Sequence, residues 1–386
     1  MKWRKALSSV KDPAQGLRLL WLGITYPPAA GGASVYTRLI VETFDQSSKV
    51  ETLQVLVEAF PGEPRQVHAP GGVARVDRVF SYRAAKATRN WLSYFKYALD
   101  NIRLLQLLAK ARQLRADALV VHGWYLLHPS LLPVVLRVLR GSGVTLIADV
   151  RDNYLPRSKL HRLQPFDQIL CCGKNVLAHI QQDPEFAHKA HYVPVPLPAA
   201  DVPEASPVIE QLQLQPGSYL FSACGIANDK RFPLLFAAWQ RLLEMGYTLD
   251  LVVAGRQRDW FEQYAQNHTN GRLVLAGTVD ALALHTLYRH SAAAVNVSNN
   301  ESFGRVPIEA FAYLRPMIFP SGVPEFDELP PYCITRDTAE GVADQIAKVM
   351  AEGHFRGSYD ISRHQPDRVA AETIEIISQA VRHNAQ

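Results

Sequence analysis

Short apolar runs alternate with amphipathic stretches along most of the chain. Leu17-Arg18-Leu19-Leu20-Trp21-Leu22-Gly23-Ile24 reads as a buried first strand, followed by the breaker-rich loop Tyr26–Gly32 and by helical apolar spacing from Ser34 to Phe44. Further strand-like runs are Glu51–Val57, Ala74–Val79, Ala118–His122, Val144–Asp149 and Gln168–Cys171, with helical patterns between most of them. That alternation predicts a doubly wound parallel sheet, whose ligands bind beyond the carboxyl ends of its strands; His122 and the pair Arg151-Asp152 fall there. Five prolines (194, 196, 198, 203, 207) then interrupt all periodicity and predict a stiff linker. A second series follows, with strands at Tyr219–Cys224, Leu249–Ala254, Leu273–Ala276, Ala292–Val297 and Pro316–Phe319. Its helical patterns are Phe232–Met245, Asp280–Arg289, Ile308–Tyr313 and Thr338–Ala351, and an amphipathic stretch closes the chain at Arg368–Val381.

Length supports two domains, since 386 residues exceed one ordinary core. With 48% apolar and 20% charged residues, the composition is that of a globular protein. Four cysteines (Cys171, Cys172, Cys224, Cys333) form no C-x-x-C and have no histidine cluster beside them, which argues against a disulfide framework or a zinc site and for a reducing cytoplasm. Lys2, Arg4 and Lys5 begin like a signal sequence, but Asp12 and Pro13 stand where its apolar core belongs. No apolar run approaches the roughly 20 residues of a membrane-spanning helix. The expected location is therefore cytoplasmic. A net charge of +5 allows an acidic partner (nucleic acid, anionic lipid or a phosphate-bearing substrate) without choosing among them.

The stretch with the most chemistry is Asn299-Asn300-Glu301-Ser302-Phe303-Gly304-Arg305-Val306-Pro307-Ile308-Glu309-Ala310-Phe311-Ala312, which leaves the run Ala292–Val297 and opens a helical pattern. Glu301 is expected in the loop and Glu309 within the first helical turn. Gly304 allows close backbone approach, Pro307 suits a turn whose N–H groups lack partners, and the N–H groups from Phe303 to Val306 form an anion seat. A phosphate cradle flanked by two hydroxyl-binding carboxylates suits a nucleotide sugar. The bland alternative is a generic strand–turn–helix junction with a glutamate complementing the helix dipole.

Glu301 and Glu309 resemble the E-x7-E motif of retaining glycosyltransferases of the GT-B fold, and Ser-Phe-Gly-Arg-Val-Pro-Ile-Glu-Ala is similar to the pattern of glycosyltransferase family 4 (glycosyl transferases group 1). The resemblance implies an α/β architecture of two Rossmann-like, doubly wound parallel-sheet domains with a cleft between them. Residues 1–200 would form the acceptor domain, rejoined by the C-terminal helix 368–384, and residues 201–367 the nucleotide-sugar donor domain. It implies transfer of a hexosyl group, with retention and without a metal or other cofactor, from a nucleoside diphosphate sugar to a hydroxyl. The acceptor would be a lipid-linked or surface-polysaccharide glycan. Glu309 would bind the ribose hydroxyls and Glu301 the donor sugar, with Phe303, Gly304, Arg305 and Val306 contacting the donor around them.

Arg231 and Lys230 would neutralise the diphosphate; they stand adjacent, and Ile226 occupies the place where the family often has an arginine. Val279, in Gly277-Thr278-Val279-Asp280, falls at the turn whose backbone reads the nucleobase. Gly31 and Gly32 match the family's glycine loop, and His122 its His-bearing turn facing the acceptor. Gly322-Val323-Pro324-Glu325-Phe326 parallels its Gly-x-Pro-Glu turn, while Leu314 replaces a frequent glycine. The chain has no Asp-x-Asp pair, the ligand set of metal-dependent GT-A transferases.

Arg83–Arg115 carries eight basic residues against the single acid Asp100, with Trp91, Tyr94, Phe95 and Tyr97 interleaved. It reads either as a solvated helix face over inward-packed aromatics or as attachment to an anionic membrane surface from the cytoplasmic side. Other readings left open are another GT-B sugar-nucleotide enzyme (an epimerase or a phosphorylase) and a non-catalytic nucleotide-sugar or nucleic-acid binder.

Overall fold

The computed structural model describes residues 16–29, 32–80, 98–126, 130–151, 155–197, 206–223, 230–255, 271–298, 305–313, 315–320, 333–334, 336–352 and 360–386. The chain divides into two compact units, residues 1–198 with 363–386, and residues 199–362.

The first unit is built on an eight-stranded sheet of β1 (Leu17–Leu22), β2 (Val50–Glu58), β3 (Gln66–His68), β4 (Ala74–Phe80), β5 (Ala118–His122), β6 (Thr145–Val150), β7 (Gln168–Cys171) and β8 (Ala190–Tyr192). Their order is β3-β4-β2-β1-β5-β6-β7-β8. All pairings are parallel except β3 with β4. The central strands are apolar without alternation because both faces are covered, as parallel sheets require. Leu19, Trp21, Val55, Val57, Val120 and Ile147 face one core, together with Tyr36, Ile40 and Phe44 of α1 (Gly32–Asp45). α2 (Gln106–Leu114), α3 (Leu132–Gly141) and α4 (Lys174–Gln181) are further helices of this unit. The Asp45 carboxylate receives the backbone N–H groups of Gly71, Val73 and Ala74, pinning the turn before β4.

The second unit holds a six-stranded, wholly parallel sheet: β9 (Tyr219–Ser222), β10 (Asp250–Ala254), β11 (Leu273–Gly277), β12 (Ala293–Val295), β13 (Met317–Pro320) and β14 (Cys333–Ile334). The order is β11-β10-β9-β12-β13-β14. Its helices include α5 (Phe232–Glu244), α6 (Ala281–His290), α7 (Arg305–Ala312) and α8 (Ala339–Glu352). α5 buries Phe232, Leu235, Phe236, Trp239 and Leu242, and the Trp239 indole N–H donates to the Leu249 carbonyl (2.8 Å).

After the second unit the chain forms α9 (Pro366–Ala385), which belongs to the first unit. Val369, Ile374, Ile377 and Ala380 enter the same core as Trp21 and Phe44. No helix among the described residues is long and apolar enough to cross a membrane.

The expected elements differ from the observed ones mainly at their ends. α7 starts at Arg305 rather than Ile308, because Pro307 is tolerated in a first turn, where its missing N–H costs no bond. Glu309 is consequently one turn into the helix, not within the first turn, where the expected start at Ile308 had put it. β3, β8 and β14, of two or three residues each, leave no periodicity to read.

Candidate functional site

Strand order reverses at one point in each sheet: β1 lies between β2 and β5, and β9 between β10 and β12. At such a switch point the connections leave toward opposite faces, and the crevice beyond the carboxyl ends is where doubly wound sheets bind ligands. In the second unit the chain leaving β9 leads to Lys230, Arg231 and α5, and the chain leaving β12 leads to α7 with Glu309.

Arg231 is the N-cap of α5 with left-handed backbone angles (φ 50°, ψ 39°), a region that non-glycine residues rarely occupy. Its carbonyl accepts from the Leu234 N–H (2.9 Å), and no side chain caps the helix. An uncapped helix start is an anion seat, and here two cations stand beside it. The Arg231 guanidinium is held meanwhile by Asp337, at 2.7 and 2.8 Å to the two carboxylate oxygens. Lys230 is partly exposed.

Across the switch point, β12 is followed by a local turn in which the buried Asn296 side chain accepts from the Ser298 N–H (2.9 Å). In α7, Ile308 and Phe311 anchor the helix in the core, with the Phe311 ring edge-on to Phe319 (6.2 Å). Glu309 is 5% exposed and takes a long hydrogen bond from the Tyr288 hydroxyl (3.4 Å). Tyr313, four residues on, stacks on Tyr288 (6.4 Å, 11° between planes) and against His285 (5.4 Å). Burial, and then the Glu309 charge, push the Tyr313 phenol up to about 12. This aromatic group around the carboxylate was missed by sequence reasoning. The i, i+4 spacing of Glu309 and Tyr313 was the available signal.

Val279 lies partly buried in the turn between β11 and α6, where Gly277 has φ 65° and Asp280 caps α6 through the Ala283 N–H (2.8 Å). Val306 is partly buried in the first turn of α7, and Arg305 begins that helix. Glu301, Phe303, Gly304, Gly31 and Asp152 lie outside the described residues, as do the stretches 224–229, 321–332 and 83–97 and position Leu314.

In the first unit, His122 ends β5 and is buried, directly across from Asp149 of β6. Gly32 opens α1 beyond β1. Both therefore flank the β1/β5 switch point. Behind them, Arg151 donates from Nε to Asp149 Oδ1 (2.6 Å) and from Nη2 to the Tyr36 hydroxyl (2.8 Å), with its guanidinium 4.1 Å from the centre of the Tyr36 ring. Burial works against the Arg151 charge, but Asp149 and then Tyr36 outweigh it and hold the guanidinium above its ordinary range. Burial also raises the Tyr36 phenol well above its usual value, with Arg151 opposing. Cys171 and Cys172 are free and buried nearby, and burial lifts the Cys171 thiol to about 12.

Three buried polar atoms along this end of the sheet have no hydrogen-bond partner among the described residues: Thr25 Oγ1, Ser34 Oγ and Asp149 Oδ2. Unsatisfied buried groups are costly, and a hydroxyl-rich ligand is one way to satisfy them. Sequence reasoning singled out none of the three.

Residues 218–352 match the family described as Glycosyl transferases group 1, a span that lies within the second unit. A comparison of the sequence with curated proteins returned no match. Among solved structures, the sucrose-phosphate synthase of Thermosynechococcus elongatus is similar at 16% identity, covering 95% of this chain and 96% of that one with a TM-score of 0.66. Anabaena HepE in complex with UDP and glucose is similar at 13% identity, over 95% and 98% of the two chains, with a TM-score of 0.63. A UDP-forming α,α-trehalose-phosphate synthase from Burkholderia xenovorans in complex with glucose-6-phosphate matches at 13% identity over 96% and 100%, with a TM-score of 0.62. Likeness at this level establishes the fold: GT-B, with two Rossmann-like domains.

Proposed function

We propose that the protein is a retaining glycosyltransferase of family 4 that moves a sugar from a nucleoside diphosphate sugar to a hydroxyl of a lipid-linked or surface-polysaccharide glycan. The observation that carries this reading is the convergence of Arg231 on α5 and buried Glu309 on α7 at the β9/β12 switch point, inside the span that matches Glycosyl transferases group 1. Similar structures hold UDP with glucose or UDP-glucose, which makes UDP-glucose the first donor to test.

In this reading Glu309 accepts the ribose hydroxyls and Glu301 holds the transferred sugar, while Phe303 and Gly304 meet it through the backbone. Arg231, Lys230 and the uncapped start of α5 stabilise the departing diphosphate, where charge builds in the transition state. The chain needs no metal for that neutralisation. His122 and Gly32 belong to the acceptor half. As the glycosidic bond breaks, the anomeric carbon gains oxocarbenium character. The acceptor oxygen then bonds to it on the same face, and its proton passes to the leaving phosphate oxygen.

Calorimetry with UDP-glucose tests the donor half. The wild-type chain should bind it, and Glu309→Ala should weaken binding by about tenfold or more, roughly 1.4 kcal/mol, because the ribose hydroxyls lose a buried acceptor. Equal affinity in wild type and variant would remove Glu309 from the donor site. EDTA should leave turnover intact.

A further inference from the structure

Tyr288 stands behind Glu309, near the end of α6, and is fully buried. Its ring meets Phe221 of β9 edge-on (4.8 Å between centres, 86° between planes) and is stacked by Tyr313, which follows α7. Its backbone is anchored as well. The Tyr288 carbonyl accepts from the Ser291 hydroxyl (2.9 Å), and the carbonyl of Leu287 from the Tyr219 hydroxyl of β9 (2.7 Å). A side chain held at ring and backbone in a close-packed interior has little rotamer freedom left. Its hydroxyl is therefore aimed, and the aim is at Glu309 Oε2.

Packing alone does not account for that hydroxyl. Phenylalanine would fill the same space and make the same ring contacts. What the phenol adds is a donor beside a flexible acid, since a glutamate turns about several side-chain bonds and its terminal torsion is broad. At 3.4 Å the bond is longer than the roughly 2.7 Å usual between oxygens, so its effect is on direction more than on stability. Burial and then the Glu309 charge keep the neighbouring Tyr313 phenol protonated well past neutral pH, so the stack beside the carboxylate brings no competing negative charge.

We propose that Tyr288 is a positioning residue that makes Glu309 selective for the ribose diol of the donor nucleotide. The proposal rests on the reading of Glu309 as the ribose acceptor and adds the group that aims it. A carboxylate offers about four lone-pair sites, so it can accept from Tyr288 and from ribose hydroxyls at the same time. Without the phenol, Glu309 samples further orientations, and binding the diol has to select one of them. A nucleotide that lacks the diol makes no use of that orientation. The effect of Tyr288 is therefore confined to ligands with an intact ribose.

Calorimetry of the full chain with UDP and with dideoxy-UDP, which lacks both ribose hydroxyls, separates aim from architecture. Wild type should favour UDP by about tenfold or more, and Tyr288→Phe should cut UDP affinity about three- to fivefold while leaving dideoxy-UDP binding unchanged. On a Glu309→Ala background, Tyr288→Phe should change neither affinity, because its effect passes through the carboxylate. Equal weakening for both ligands would make Tyr288 a packing residue and overturn the proposal, as would a further loss in the double variant. Equal binding of the two nucleotides by wild type would sink the ribose reading of Glu309 and the proposal with it. Discrimination that Glu309→Ala abolishes and Tyr288→Phe leaves intact would keep that reading and sink the positioning role alone.

Discussion

At the switch point of the first unit, the Arg151 side chain is 8% exposed and bound by a carboxylate that is fully buried. At that of the second unit, the Arg231 side chain is 23% exposed and held by Asp337, itself 66% exposed. The sheets share the same kind of strand-order reversal, yet one arginine is built into the interior and the other is only parked. A guanidinium locked by Asp149 and Tyr36 shapes its surroundings and stays where it is. One paired with a solvated carboxylate can exchange that partner for a ligand at little cost, since exposed ion pairs contribute little.

The sharpest way to break this contrast is Asp149→Ala. It strands the Arg151 charge in a dry site, and removing one partner of a buried pair typically costs about 3–5 kcal/mol. Urea unfolding followed by signals from each unit should show the first unit losing stability while the second holds. A loss under about 1 kcal/mol would mean that Arg151 finds water, and the contrast would collapse.

Asp337→Asn probes the other side. Stability should change by less than about 1 kcal/mol. Affinity for a nucleoside diphosphate should rise by about two- to fivefold, because the ligand no longer competes with a carboxylate for Arg231. Calorimetry with UDP reads this directly, and unchanged or weaker binding would show that Asp337 does not restrain the arginine.

The smallest effect concerns Asp77, another carboxylate bound within the first unit. Burial pushes its pKa up, but hydrogen bonds from Arg75 and Lys110 outweigh that and hold it below the ordinary 3.8. A carboxylate depressed by folding stabilises the folded state above its unfolded pKa and loses that contribution as pH falls through its folded pKa. The stability advantage of wild type over Asp77→Asn should therefore be full at neutral pH, shrink below pH 3.8 and vanish in stronger acid, as denaturation at a series of pH values would record.

Much of the fold was legible because parallel strands buried on both faces need unbroken apolar runs. Leu19–Leu22 and Ala118–Val121 are apolar throughout, and helical spacing between such runs left few architectures open. Lys230, Arg231 and Glu309 are singled out through the resemblance to family 4, and they lie beyond the ends of β9 and β12. Partnerships were the illegible part. Tyr36 and Arg151 are 115 positions apart, and Arg231 and Asp337 are 106 apart. Hydrophobic periodicity says nothing about which polar groups the topology brings together.

The closing helix α9 carries a consequence for biosynthesis. Val369, Ile374 and Ile377 complete the core that Trp21 and Phe44 begin, so β1 cannot finish its packing until the far later α9 has been made. Residues 199–362 are all translated before that helix and can close their own core first. Assembly therefore runs against the order of the message: the second unit has its whole sequence before the first unit, whose core lacks part of its apolar side chains until α9 emerges. A stop codon near residue 365 would release a chain with a finished second unit and a first unit lacking part of its interior, a substrate for quality-control proteases.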